Sequence, residues 1–275
     1  SKCFYKKAEN KQTLFFLGDS HNNSLMLGSE LIAEKTNSNL FIFSANGSTF
    51  PSVKYFQTHN KNERINNHKI LHSLKDEIIN QSLKGDVIFI NIRLPFHFGD
   101  DWYSNPVENF RFFDENGSVE SRKSKSKHFD QWLSEIEIFT EKVSRKGVKV
   151  VILNPTPEFP FARFYQCKGQ NDQWFNKLSK KECSYPKGFF EDIGGKYYYL
   201  IKRINQTALK HKNLYVFNSL DLMCPKSLCS FQINKNVLYR DTNHISNYAS
   251  QKIFVPAIID FLGKQKILEN PKIKI

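Results

Sequence analysis

No stretch of the sequence approaches the roughly 18 uninterrupted apolar residues that a membrane-spanning helix needs, so none is read as a span. A signal-peptide pattern of basic start, apolar centre and small-residue cleavage site is also missing. There is no initiator methionine. The chain starts at Ser1, which reads as a mature piece or as an excerpt of something longer. No RNA- or DNA-reading motif accompanies the basic residues, and no closely spaced Cys-x-x-Cys pair suggests a zinc site.

What is present is ample material for a core: 275 residues, 40% of them hydrophobic. The 40 Lys and Arg outnumber the 27 Asp and Glu, for a formal charge of +13. Clustered, that excess would suit nucleic acid, anionic lipid or an acidic polysaccharide. Here the basic residues are dispersed, and the one dense cluster, Arg122 to Lys127, reads as a polar loop. The charge is therefore read as a solvated surface, with no nucleic-acid partner. Five cysteines fall at 3, 167, 183, 224 and 229. The last four form two sequence-local pairs, Cys167 with Cys183 and Cys224 with Cys229, although four cysteines allow three connectivities. Disulfides at these places would mean an oxidising compartment.

Five almost continuous apolar runs read as parallel strands buried on both faces: 13–18, 39–45, 85–92, 147–154 and 213–219. Helical spacing separates them. Trp132, Ile136, Phe139 and Val143 form one stripe, and Tyr197, Leu200, Ile201, Ile204 and Ala208 another. A last helix follows Ser246, with Ile253, Ala257, Ile258 and Phe261 on one side. The alternation predicts one doubly wound α/β domain, flavodoxin-like, with a five-stranded, mostly parallel sheet. Two long insertions, 96–126 and 155–190, follow the carboxyl ends of the third and fourth strands, the edge where open α/β sheets bind ligands. The first is expected to be mobile around 114–127.

The first strand ends in Gly18-Asp19-Ser20-His21. A serine hydroxyl is a poor nucleophile unless a base takes its proton and a third group orients that base. Consecutive side chains at a helix start diverge, so His21 is not the natural base. Of the eight histidines, His59, His68, His72, His97, His128 and His211 show no acidic partner in a telling position. His244 stands three residues after Asp241, immediately before the last helix. That spacing lets the carboxylate reach Nδ1 and leaves Nε2 for a serine hydroxyl. Asp19 is expected to buttress the turn without titrating.

Gly-Asp-Ser after the first strand, paired with Asp-x-x-His before the last helix, resembles the SGNH (GDSL-like) hydrolase superfamily. The resemblance runs from residue 14 to about 262. Three segments look most like SGNH domains attached to membrane acyltransferases that O-acetylate bacterial surface polysaccharides: "GDSH" (18–21), "NPTPEFPF" (154–161) and "CPKSLCSFQINKNVLYRDTNHIS" (224–246).

The resemblance implies Ser20 as nucleophile, His244 as base and Asp241 as its orienting acid. It implies an oxyanion donor at Gly47, in "SANGSTF" (44–50). The family's Gly-x-Asn-Asp block is absent, and "INIRLPF" (90–96) stands in its place, with Arg93 near the strand end and Asn91 two residues earlier. Arg93 could stabilise an oxyanion, bind an anionic sugar or hold the loop. In the first insertion, Trp102, Tyr103 and Phe112 could stack on a sugar ring or fold the loop onto the body.

The expected activity is O-acyl transfer, acetyl above all, from an acyl donor to a glycan hydroxyl. The alternatives are a stand-alone carbohydrate esterase and a non-catalytic glycan-binding module. No metal or other cofactor is required. The whole chain, 1–275, is expected to form one SGNH-type domain at the C-terminal end of a longer membrane protein. It would be extracytoplasmic or periplasmic, tethered by an N-terminal membrane acyltransferase domain.

Overall fold

The computed structural model describes residues 2–6, 11–53, 56–58, 61–98, 111–113, 119–120, 125–159, 184–234 and 236–268. Its centre is a six-stranded sheet built from β1 (Lys2–Lys6), β2 (Thr13–Gly18), β3 (Asn39–Ser44), β4 (Val87–Asn91), β5 (Lys149–Leu153) and β6 (Leu214–Phe217). The spatial order is β1-β3-β2-β4-β5-β6. The five strands β2 to β6 are parallel, as the apolar runs predict. The sixth strand, β1, has no such run behind it and pairs antiparallel with β3 at the edge.

Alternate residues of one strand point to opposite faces of a sheet. Leu14 and Phe16 of β2 accordingly join one core with Ile32 of α2 (Met26–Lys35) and Ile258 and Leu262 of α7 (Val255–Lys264). Phe15 and Leu17 join the other. There they meet α3 (Lys61–Gln81), α4 (Leu94–Phe98), α5 (Lys125–Ser144) and α6 (Tyr198–Ala208). The predicted stripe Trp132, Ile136, Phe139 and Val143 lies wholly buried on this side, as do Leu200 and Ile204. This is a three-layer, doubly wound arrangement.

The last helix differs from its predicted stripe. A π-helical turn at Ala249–Phe254 precedes α7 and rotates the inward face. Phe254, Ile258 and Leu262 are buried, whereas Ile253, Ala257 and Phe261 are only partly so. The wide turn lets α2 approach closely. The Gly28 amide donates to Ser250 Oγ at 2.9 Å. A Cβ on Gly28 would lie 2.6 Å from that oxygen.

Of the region read as a mobile loop at 114–127, residues 119–120 and 125–127 are described and carry regular structure, and the rest lies outside the described residues. Arg111–Phe113, Val119–Glu120 and Phe56–Thr58 form a small antiparallel sheet, and α5 already starts at Lys125, inside the basic cluster. Near the end of the second insertion, Ser184–Pro186 pairs antiparallel with Leu228–Ser230. Cys224 and Cys229 form a disulfide beside that pairing. The other expected pair, Cys167 with Cys183, lies outside the described residues.

Strand register places the loops that matter at one edge. Gly18 is the partner of Ser44 on one side and Asn91 on the other. The segments beginning at Asp19, Ala45 and Ile92 therefore leave the sheet together. β3 and β4 flank β2 on opposite sides, so this edge is the switch point of the topology. Gly18 is required there: a Cβ would fall 1.9 Å from the Asn91 carbonyl oxygen. Gly18→Ala is expected to cost on the order of 3 kcal/mol, because backbone cannot yield as a flexible side chain does. Chemical denaturation measures it, and a loss under about 1 kcal/mol would show that the β2–β4 register tolerates displacement.

Candidate active site

Ser20 opens the short helix α1 (Ser20–Ser24), and Asp19 caps it by accepting the His21 amide at 2.8 Å. Capping by Asp is favourable chemistry at this position, so the turn has a sufficient local cause. Yet both Asp19 oxygens are engaged. Oδ2 accepts the Arg93 amide at 2.8 Å and His97 Nε2–H at 3.0 Å. His97 therefore does have an acidic partner, 78 residues away in sequence, where adjacent residues offer no sign of it. The Asn22 amide group donates to Phe16 O at 3.0 Å, Phe43 O at 3.2 Å and Ser44 Oγ at 3.0 Å, anchoring α1 on β2 and β3.

The second half of the site comes from the turn before the last helix. Asp241 Oδ1 accepts the amides of Asn243 at 3.0 Å and His244 at 2.8 Å, which closes the turn on itself. His244 Nδ1–H donates to Asp241 Oδ2 at 2.8 Å. Its Nε2 lies 2.8 Å from Ser20 Oγ, positioned to accept the hydroxyl proton. Burial alone would raise the Asp241 pKa. The His244 bond, the turn amides and the His244 charge outweigh it and hold the carboxyl well below its usual range. Asp241 thus stays ionised and keeps His244 in the Nδ1–H tautomer.

Arg93 has a definite partner. Its Nε and Nη2 donate to Glu158 Oε1 and Oε2 at 2.8 and 2.6 Å, a bidentate pair. Side-chain exposure is 12% for Arg93 and 1% for Glu158, so both charges depend on each other. The guanidinium also sits 5.3 Å from the Phe96 ring centroid. Glu158 is held in turn by its own amide, which donates to Tyr197 Oη at 3.1 Å. Next to it, the Phe159 amide donates to Thr242 O at 2.9 Å. Of the readings open for Arg93, this geometry matches holding the loop, here the segment from 155 to 159.

Asn91 Nδ2 donates to the His21 carbonyl at 3.2 Å, tying the Ser20 turn to β4. Gly47 occupies the turn after β3 with φ +63°, a left-handed conformation that suits glycine. Trp102 and Tyr103 lie outside the described residues, and Phe112 is described only as part of a strand. Among the described residues, no group of three His, Cys, Asp or Glu side chains could hold a metal ion. No helix among them is long and apolar enough to cross a membrane.

Two buried groups link the site to pH. Burial pushes His21 down to about 3, helped by the His244 and Arg93 charges and opposed by Asp19. Between its ordinary value of 6.5 and about 3, the unfolded chain binds a proton there that the folded chain does not. Stability therefore drops as the pH is lowered through that window, by up to about 1.4 kcal/mol per pH unit from His21 alone. Asp19 is held at about 2: burial raises it, but the His97 bond, the nearby histidine charges and the Arg93 amide prevail. Its contribution is complete above the ordinary value and is lost as the pH falls through about 2. Thermal melts from pH 7 down to about 4.5 should show a steady fall that His21→Phe flattens. An equal slope in the variant would contradict the assignment to His21.

A serine at the turn after a central strand, a histidine–carboxylate turn before the last helix and this sheet order define an SGNH-type hydrolase fold. A family model described as "SGNH domain (fused to AT3 domains)" matches residues 1–256, and the chain belongs to that family. At that level it is a domain acting on acyl esters, of a kind found joined to AT3 membrane acyltransferase domains. Among solved structures it is similar to the periplasmic domain of the lipopolysaccharide acetyltransferase of Salmonella ser. Paratyphi A. Identity is 13% with a TM-score of 0.56, over 94% of this chain and 85% of that one. No curated protein sequence matches the chain.

Proposed function

We propose that this chain transfers an acyl group, acetyl above all, to a hydroxyl of a cell-surface glycan through an acyl-enzyme on Ser20. The observation that carries this reading is the continuous hydrogen-bonded chain Ser20 Oγ, His244 Nε2, His244 Nδ1 and Asp241 Oδ2. As Ser20 Oγ bonds to the acyl carbon, its proton passes to His244 Nε2. The bond to the donor then breaks, and His244 returns that proton to the leaving group. In the second half the glycan hydroxyl gives its proton to His244 and attacks the acyl carbon. The new ester departs, and Ser20 Oγ takes the proton back.

The amides of Ser20 and Gly47 are assigned to the oxyanion, which forms in both halves. Removing one such donor typically costs about a hundredfold or more in rate. Asn91 and Arg93 shape this wall of the site, Asn91 through the nucleophile turn and Arg93 through Glu158. Trp102 and Tyr103, in the first insertion, are assigned to the sugar. An extracytoplasmic location, beside a membrane acyltransferase domain that supplies the acyl group, agrees with the family and with the Cys224–Cys229 disulfide.

Transferase and esterase differ in the acceptor alone. The chromogenic ester 4-nitrophenyl acetate, assayed with and without bacterial surface polysaccharide, separates them. The transferase reading expects acetylated polysaccharide at the expense of free acetate. Acetate alone, at an unchanged rate and whatever polysaccharide is supplied, would make the chain an esterase.

A further inference from the structure

Two turns carry the reacting groups, Gly18–His21 and Asp241–His244. The hydrogen bond joining Ser20 to His244 cannot hold them together throughout a reaction cycle. Once Ser20 Oγ is acylated it has no proton to donate, yet His244 must stay in place to activate the acceptor. A second bond crosses between the same turns. His21 Nε2 and Asn243 Oδ1 are 3.0 Å apart, with His21 7% and Asn243 4% exposed. The residues concerned are the immediate neighbours of Ser20 and His244.

The direction of this bond follows from its surroundings. Asn243 Nδ2 donates to Thr242 Oγ1 at 3.1 Å, which turns Oδ1 towards His21 and makes His21 Nε2 the donor. The His21 and His244 rings are 5.0 Å apart and tilted by 52°. Burial keeps His21 uncharged, so it does not repel the imidazolium that forms on His244. Its backbone is fixed independently, through the amide on Asp19 and the carbonyl on Asn91. The ring is therefore a rigid arm that reaches from the nucleophile turn to the base turn.

We infer that His21 is a positioning residue: its bond to Asn243 holds the His244 turn against the Ser20 turn while Ser20 carries the acyl group. The inference rests on the acyl-enzyme reading above. It makes the tether matter most in deacylation, where the Ser20–His244 bond is gone.

The test uses 4-nitrophenyl acetate with the wild type, Ser20→Ala, His21→Ala, Asn243→Ala, the His21→Ala/Asn243→Ala double variant and Asn243→Asp. Small misplacements of a catalytic group cost on the order of 10- to 100-fold, so each single alanine variant should lose about that much in steady-state rate. The double variant should lose no more than either single one, since both remove the same bond. The fraction of chain found acetylated by intact mass during turnover should rise. Asn243→Asp, whose carboxylate still accepts from His21, should recover most of the rate.

Losses that multiply in the double variant, or an Asn243→Asp rate no better than that of Asn243→Ala, would overturn the tether. Should the alanine variants fail to fold, Asn243→Leu replaces them, being nearly isosteric and unable to accept. Its parity with the wild type would overturn the tether, and a loss of about tenfold or more that Asn243→Asp reverses would support it. A wild type no faster than Ser20→Ala sinks the acyl-enzyme reading itself, and the tether with it. Wild-type turnover with multiplying losses sinks the tether alone.

Discussion

Ser20→Ala should lower turnover of an acetyl ester by about 10,000-fold or more, with His244→Ala close behind. In the proposed mechanism its hydroxyl oxygen bonds to the acyl carbon, and no other serine, cysteine or threonine oxygen or sulfur is hydrogen-bonded to His244 among the described residues. The Ser20→Ala/His244→Ala double variant should be little worse than either single one, because serine and base act as one unit. Asp241→Asn should keep the turn folded yet lose on the order of 10,000-fold in kcat, since an amide permits the wrong His244 tautomer. The measurement is kcat for 4-nitrophenyl acetate, with melting temperatures to verify folding. Ser20→Ala at a tenth of the wild-type rate or above would show that hydrolysis proceeds elsewhere.

The second large effect is on stability. Glu158→Ala would leave the Arg93 guanidinium, 12% exposed, without its carboxylate. Breaking a buried pair by removing one partner typically costs about 3–5 kcal/mol, far beyond the worth of an exposed ion pair. For a chain of this size that corresponds to a fall in Tm of roughly 5–9 °C. Arg93→Met together with Glu158→Leu should recover most of it, since the penalty comes from removing one side of a buried ion pair. Circular dichroism melts of the two variants decide the matter. A Tm for Glu158→Ala equal to wild type would show that water reaches Arg93. A double variant as unstable as the single one would show that the pair's geometry, and not charge compensation, carries the stability.

Parts of this account are legible in the chain because they rest on short-range pattern. The five parallel strands follow from apolar runs, and the buried stripe of α5 from helical spacing. Spacing and family resemblance pair Ser20 with His244 and Asp241, and the structure brings their side chains together. What escapes depends on long-range pairing. Nothing near His97 points to Asp19, and nothing near Arg93 points to Glu158, although Glu158 lies inside the "NPTPEFPF" segment that supports the resemblance. His21 is no base, as its place beside Ser20 suggests, but its ring bond to Asn243 spans 222 residues and has no local signal. The edge strand β1 has only Cys3, Phe4 and Tyr5 between two lysines and is too short to stand out, and the π turn at 249–254 breaks the period on which helix stripes are read.

The central claim is that an acyl group resides covalently on Ser20. Mixing the chain with 4-nitrophenyl acetate, quenching in acid and mapping peptides by mass spectrometry tests it directly. The account predicts one acetyl group on the peptide containing Ser20, absent in Ser20→Ala. Turnover by the wild type with no acetyl on that peptide, or with the adduct on another residue, would contradict it.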